Sequence, residues 1–232
     1  MTFRAFIGRL FSAYCLVLFV ILALIALTVN LFVPTLRARR WVAGTLSRAF
    51  FRLAGIPLQV EGLERLPKTP CVVVANHASY IDGIVAAAAL PPAFAFVIKK
   101  EMVRVPLASL LLRRLGSAFV ERFDRHKGGA DTRRVWKLAA RGQSLVFFPE
   151  GTFDSNRQVR RFLGGAFATA QRSNLPVVAA AIHGARDVLP PGGIRVHRRA
   201  LRFEILEVLD PEGARERSRQ LIAAAVGEPL AP

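Results

Sequence analysis

The sequence predicts an α/β domain, a mostly parallel central sheet flanked by helices, carried behind an N-terminal membrane helix and an amphipathic helix. Three observations lead there. Residues 11–33 form an uncharged run of 23 residues, long enough at about 1.5 Å per residue to cross a hydrocarbon core about 30 Å thick. Beyond it, short apolar runs alternate with longer helical patterns, the order expected of strands with covering helices. The formal charge of +17 over 232 residues, with 53% hydrophobic content, belongs to a protein that meets anionic surfaces or ligands.

Composition narrows the partners further. With only 2 tryptophans and 2 tyrosines the chain has little base-stacking surface, so lipid head groups and phosphorylated substrates are expected and nucleic acid is not. Cys15 and Cys71 are the only cysteines, too few for a disulfide framework or a zinc cluster, which fits a reducing compartment.

Taken in order, the apolar run meets Pro34 and then Arg37, Arg39 and Arg40, against Arg4 and Arg9 on the other flank. That bias places the globular part on the cytoplasmic face of a membrane, the inner membrane if the source is bacterial. The near balance leaves open a segment embedded in one leaflet with both ends on the same side. Residues 41–54 read as a basic amphipathic helix, with Trp41, Leu46, Phe50 and Leu53 on one face and Arg48 and Arg52 for head groups. The alternative is that these aromatics pack on the domain core. Gly55-Ile56-Pro57 ends the stretch, which divides the chain into an anchor, 1–56, and a domain, 57–232. Strands are expected at 72–75, 94–98, 118–120, 145–148, 177–182 and 201–206, and helices at 83–90, 102–115, 130–140, 165–172 and 211–226.

The chemistry concentrates after the first of the domain's expected strands, in Asn76-His77-Ala78-Ser79-Tyr80-Ile81-Asp82. In an open α/β sheet, ligands bind beyond the carboxyl ends of the strands. Five residues on one continuous helix put two side chains about 140° apart, so His77 and Asp82 meet only if His77 lies in the turn and Asp82 in the helix. A carboxylate on the imidazole would then fix one tautomer and leave the other nitrogen to take a proton. A capping box, Ser79 answered by Asp82, accounts for the same residues and is compatible with that role. Three further clusters fall at strand ends: Gly116 to Arg122, Phe148-Pro149-Glu150-Gly151-Thr152, and Leu175-Pro176-Val177.

In this order and spacing, the four clusters resemble the glycerolipid acyltransferase family that includes the 1-acylglycerol-3-phosphate acyltransferases, over about residues 60–190. His77-x4-Asp82 matches the first block, Gly116-x-x-Phe119-x-x-Arg122 the second, Phe148 to Thr152 the third and Leu175 to Val177 the fourth. Lys99-Lys100-Glu101-Met102 is similar to the basic segment between the first two. The resemblance implies a direct transfer of an acyl chain from acyl-CoA or acyl-ACP to the free hydroxyl of a lysophospholipid in the membrane, with no metal and no cofactor beyond that co-substrate. His77 would be the general base and Asp82 its orienting partner. Asn76, Lys99, Lys100, Arg122, Glu150, Gly151 and Thr152 would bind substrate, Arg122 and Lys100 at the acceptor's phosphate. The acceptor implied first is 1-acylglycerol-3-phosphate, giving phosphatidic acid; another lysophospholipid or a lyso-aminolipid stays open. Phe153 stands where many members carry arginine, with Arg157, Arg160 and Arg161 as candidate substitutes, and Ala179 stands where a second proline is usual. Two other classes compete: a His/Asp-assisted membrane hydrolase, which lacks a Gly-x-Ser-x-Gly elbow here, and a basic membrane-surface or nucleic-acid binding module, which leaves the Glu150 cluster without a purpose.

Overall fold

The structure, a computed structural model, describes residues 3–121 and 128–231. Helix α1 (Phe3–Phe32) ends before Pro34, and α2 (Leu36–Leu53) starts behind Thr35, whose hydroxyl accepts from the Ala38 N–H at 3.3 Å. Strands β1 (Leu58–Glu61) and β2 (Val72–Ala75) lead to α3 (Asp82–Ala89). Then come β3 (Phe94–Lys99), α4 (Pro106–Arg114), β4 (Ala118–Val120), α5 (Gly128–Ala140) and β5 (Ser144–Phe147). Helix α6 (Gly165–Ser173), β6 (Val177–His183), the single turn α7 (Ala185–Val188), β7 (Leu201–Leu209) and α8 (Ala214–Val226) follow.

The strands form one sheet in the order β1-β7-β6-β2-β5-β3-β4. Strand β2 is central, parallel to β5 on one side and β6 on the other. Only β1 and β7 run the other way, because β7 pairs antiparallel with β6 and parallel with β1. The carboxyl ends of β6, β2, β5, β3 and β4 therefore share one edge, where the start of β7 joins them.

Alternation along β2 explains the layering. Val73 and Ala75 enter a core with Phe50 and Phe51 of α2 and Val85 and Ala86 of α3. Val72 and Val74 enter the opposite one with Phe167 of α6 and Ile222 of α8, and Val135 of α5 seals Leu145 beside it. With helices on both faces, these strands read as continuous apolar runs.

The single turn α7 has no counterpart among the expected elements, and two others also differ. Strand β1, Leu-Gln-Val-Glu, lies at the sheet edge and is largely exposed, so it lacks the apolar run that marks the others. The helix expected over 102–115 is split into a 3₁₀ turn, Lys100–Arg104, and α4. Pro106 explains the break, since it has no N–H to continue a preceding turn but is well suited to a first helical position.

Helix α2 is fastened to the domain. Gly44 lies so close to α3 that a Cβ there would come within 2.9 Å of the Ala87 carbonyl. Arg48 donates to the Ala88 carbonyl at 2.9 Å at the end of α3, where a cation suits the helix dipole. Arg40 donates to Leu115 O, Ala93 O and Gln143 Oε1, and burial pushes its guanidinium down to about 10. Trp41 and Leu53 remain exposed while Phe50 and Phe51 are buried, so the expected apolar face is divided between the core and the outside.

Helix α1 is clasped along its length. Phe11, Cys15, Leu18 and Leu22 follow a helical seam onto the core. Near its start, Ser12 Oγ accepts from the Val196 N–H at 3.0 Å and Arg198 lies over the Phe11 ring at 5.0 Å. Near its end, Arg114 donates to the Asn30 and Leu31 carbonyls at 2.7–3.2 Å. The opposite face shows a continuous apolar surface that includes Leu10, Val17, Val20, Leu24 and Phe32.

Candidate active site

The turn after β2 folds around one carboxylate. Asp82 opens α3 with its side chain fully buried, and its Oδ2 accepts from the N–H groups of Ala78 at 2.7 Å and Ser79 at 2.8 Å. These close the turn and bring His77 back over the helix start, where its Nδ1 lies 2.8 Å from the same oxygen. An ionised carboxylate only accepts, so Nδ1 carries the proton and Nε2 is the free base. Nε2 has no protein hydrogen-bond partner among the described residues, and the His77 side chain keeps 19% of its surface exposed. Ser79 lies two residues ahead of Ile81, the residue that precedes α3, and its hydroxyl donates to the Leu189 carbonyl at 2.7 Å, tying the turn to the segment after α7. The same hydroxyl accepts at 3.4 Å from the Ile81 N–H, so the capping box is present in altered form, with the acid reaching back to the Ser79 N–H and the hydroxyl bonding Ile81 rather than Asp82.

Glu150 supports the same turn from behind. It is 7% exposed, and its two oxygens accept from the N–H groups of His77 at 2.7 Å and Arg160 at 2.8 Å. Burial pushes its carboxyl up to about 7, against the two N–H donors, which pull it down. Gly151 follows with φ +77°, a conformation that suits glycine. The loop then turns over the imidazole. Phe148 stacks on His77 with centroids 4.7 Å apart and Phe153 meets it edge-on at 4.5 Å. Tyr80 closes on Phe153 at 4.9 Å. Nothing in the spacing of these aromatics signals this clamp; only the placement of the loop after β5 beside β2 creates it.

The arrangement places a partly exposed imidazole, held by a buried carboxylate, at the carboxyl end of the central strand. Among the described residues no three His, Cys, Asp or Glu side chains gather as a metal site. A family model described as Acyltransferase matches residues 57–183, more than half of the chain. The chain belongs to the acyltransferase family. Among curated relatives, the chloroplastic 1-acyl-sn-glycerol-3-phosphate acyltransferase of Brassica napus is 32% identical over 57% of this chain and 39% of its own. The lyso-ornithine lipid O-acyltransferase of Pseudomonas aeruginosa is 34% identical over 59% of this chain and 52% of its own. The matches cover between 38% and 58% of these curated relatives' lengths. The crystal structure of the 1-acyl-sn-glycerophosphate acyltransferase of Thermotoga maritima shares the fold, with a TM-score of 0.80 at 22% identity over 97% of this chain and 96% of that one.

In this acyltransferase-family chain the other expected site residues are distributed unevenly. Asn76, expected at the substrate, has both polar atoms engaged by Ile182: Nδ2 donates to its carbonyl at 3.0 Å and Oδ1 accepts from its N–H at 2.8 Å. These two bonds staple the ends of β2 and β6 together. Glu150 is likewise engaged by the main chain behind His77. Lys99 and Lys100 stand at the end of β3, Lys99 3.3 Å from Glu101 and Lys100 3.5 Å from Asp131. Thr152 is exposed beside the site and Gly151 is buried. Arg122 lies outside the described residues. Of the candidate substitutes for the arginine absent at Phe153, Arg160 pairs with Asp154, and Arg157 lies 2.6 Å from Asp187.

Proposed function

We propose that the chain transfers an acyl group from an acyl thioester to the free hydroxyl of a lysophospholipid, with 1-acylglycerol-3-phosphate as the leading acceptor and phosphatidic acid as product. The observation that carries this is the His77 to Asp82 contact, which presents Nε2 as a base in a chain of the acyltransferase family. Nε2 takes the proton of the acceptor hydroxyl as its oxygen attacks the thioester carbonyl carbon. A C–O bond forms, the C–S bond breaks, and the departing thiolate takes the proton back from the imidazolium. Asp82 holds the transient positive charge. A thioester is already activated, so a positioned base, contributing about 10²–10⁴-fold, and oriented reactants supply what the reaction needs.

Lyso-ornithine lipid is the second acceptor to consider. Phe153 replaces an arginine expected for a phosphate, and the Pseudomonas aeruginosa relative is named for that acceptor.

The membrane reading follows from the clasp on α1. From Ser12 to Asn30 the domain accompanies the helix for 18 residues, about 27 Å. Passing that length through a hydrocarbon core about 30 Å thick would drag Arg114 and Arg198 into lipid, at a cost of about 2.5–3.5 kcal/mol each or more. Lying in one leaflet with its exposed apolar face down avoids this, and leaves the catalytic turn at the surface.

The test is purified full-length protein in detergent with acyl-CoA and each lysolipid. Phospholipid and free thiol in equal amounts support transfer. Thiol and free fatty acid without phospholipid overturn it in favour of hydrolysis, and competition between the two acceptors decides which is used.

A further inference from the structure

The carboxyl edge of the sheet carries a second basic feature that the chemistry at His77 does not use. A cleft of about 740 Å³ opens on the β6 and β7 flank of the site, with Arg157, Arg186, His197 and Arg199 among its walls and Pro190 and Pro191 beside them. Three segments converge to build it: the loop after β5 that has just passed over His77, α7 with the prolines behind it, and the lead into β7. Gly184 permits the convergence. Its φ is +77°, and a Cβ there would lie 2.3 Å from the Ala200 carbonyl, so a side chain would push the segments apart.

The walls are held by ion pairs that do not exhaust their charge. Arg157 lies 2.6 Å from Asp187, and Arg186 lies 3.6 Å from Glu228 and donates to the Asp154 carbonyl. Two carboxylates thus face three arginines. Arg199 is exposed and has no carboxylate partner among the described residues, and Arg157 is also exposed. Arg199 presents its planar fork to phosphate oxygens, and Arg157 adds the donors that its pairing with Asp187 leaves over.

We propose that this cleft binds the phosphorylated nucleotide handle of the acyl donor, the 3′-phospho-ADP part of an acyl-CoA. The inference rests on the acyl-transfer reading above. Both substrates of that reaction bring phosphate, and the basic groups near His77 fall on two sides of it. Lys99 and Lys100 follow β3, on the β5 side of the central strand, whereas the cleft lies on the β6 side. A thioester reaching His77 from one flank and an acceptor hydroxyl from the other meet over Nε2. The volume is within the range of about 300–1,000 Å³ usual for small-molecule sites, and the two prolines offer a flat apolar wall to a base.

The experiment compares acyl-CoA with acyl-pantetheine, the same thioester without the nucleotide, on the full-length protein in detergent. In Arg157→Ala/Arg199→Ala the KM for acyl-CoA rises about tenfold, the acceptor KM does not move, and the preference for acyl-CoA over acyl-pantetheine falls by the same factor. Arg199→Ala alone, which breaks no hydrogen bond or ion pair among the described residues, gives a smaller shift in the same direction. Calorimetric titration with CoA shows the matching loss of affinity. Equal use of both donors by the parent protein, a shift in acceptor KM instead, or turnover with acyl carrier protein but not acyl-CoA each overturn the proposal. Absence of transfer with every donor overturns the acyl-transfer reading instead, and CoA binding weakened in the double variant then still supports the nucleotide site.

Discussion

The ring of Phe153 stands edge-on to the imidazole of His77, centroids 4.5 Å apart and planes at 71°. Phe148 stacks on the same imidazole at 24°, so two aromatic rings pack against His77. Phe153→Ala removes one ring and lowers kcat about tenfold with little change in acceptor KM, because misplacing a catalytic group costs rate more than binding. Steady-state kinetics in both substrates separates this from a substrate contact, for which acceptor KM would carry the loss.

His77→Ala lowers turnover by about 10²-fold or more with the fold intact, as expected for loss of a general base. Asp82→Asn is the sharper test. The amide oxygen replaces Oδ2 as acceptor from Ala78 and Ser79, so the turn persists while the charge behind the imidazole disappears. Activity falls with the melting temperature within a few degrees of the parent; a fully active Asn variant would limit Asp82 to capping.

The buried Glu150 gives a pH signature. Its carboxyl is raised from 4.5 to about 7 in the folded chain, so between those values the native state holds a proton that the unfolded state has released. Stability therefore falls as pH rises from about 4.5 to 7 and levels off above, by on the order of 3 kcal/mol from this group. Thermal melts of Glu150→Gln at pH 5 and pH 8 lack that slope. A parent protein whose pH dependence matches the variant's would show that the two N–H donors hold the carboxylate ionised throughout.

Much of this site is written in its residues, and some of it is not. The strand at 72–75 coincides with its apolar run because it is central in the sheet and buried throughout, and the one at 118–120 does so at the sheet edge because α5 covers it and buries Ala118 and Phe119. The spacing of His77 and Asp82 permits their contact only if a turn is followed by a helix, and the structure supplies that arrangement. Glu150 is legible as a site residue, but what it does there is not. Its partners are main-chain N–H groups of His77 and Arg160, which leave no mark on side-chain identity. The Asn76 staple to Ile182 joins residues 106 apart and depends on β6 lying next to β2, a matter of strand order that no local pattern encodes. Strand β1 carries no apolar signal because an exposed edge requires little apolar content.

The exposed face of α1 makes a further prediction. Val17→Asp and Leu24→Asp lie away from the clasp, so the double variant keeps its melting temperature. It leaves vesicles in a flotation assay at 1 M salt, where a Debye length of about 3 Å removes head-group attraction, while the parent protein stays bound. Retention of the variant would assign membrane binding to the basic surfaces instead.

Fixing α1 at both Ser12 and Asn30 removes slack between that helix and the catalytic turn. A domain on a flexible tether searches a volume set by its linker, whereas here the height and tilt of His77 above the apolar face of α1 are properties of the fold. On the one-leaflet reading, acceptor then arrives by diffusion within the lipid plane. The quantity that sets its rate of encounter is its mole fraction in that plane. Diluting the acceptor with inert phospholipid at constant bulk concentration therefore slows turnover, just as lowering its concentration would in solution.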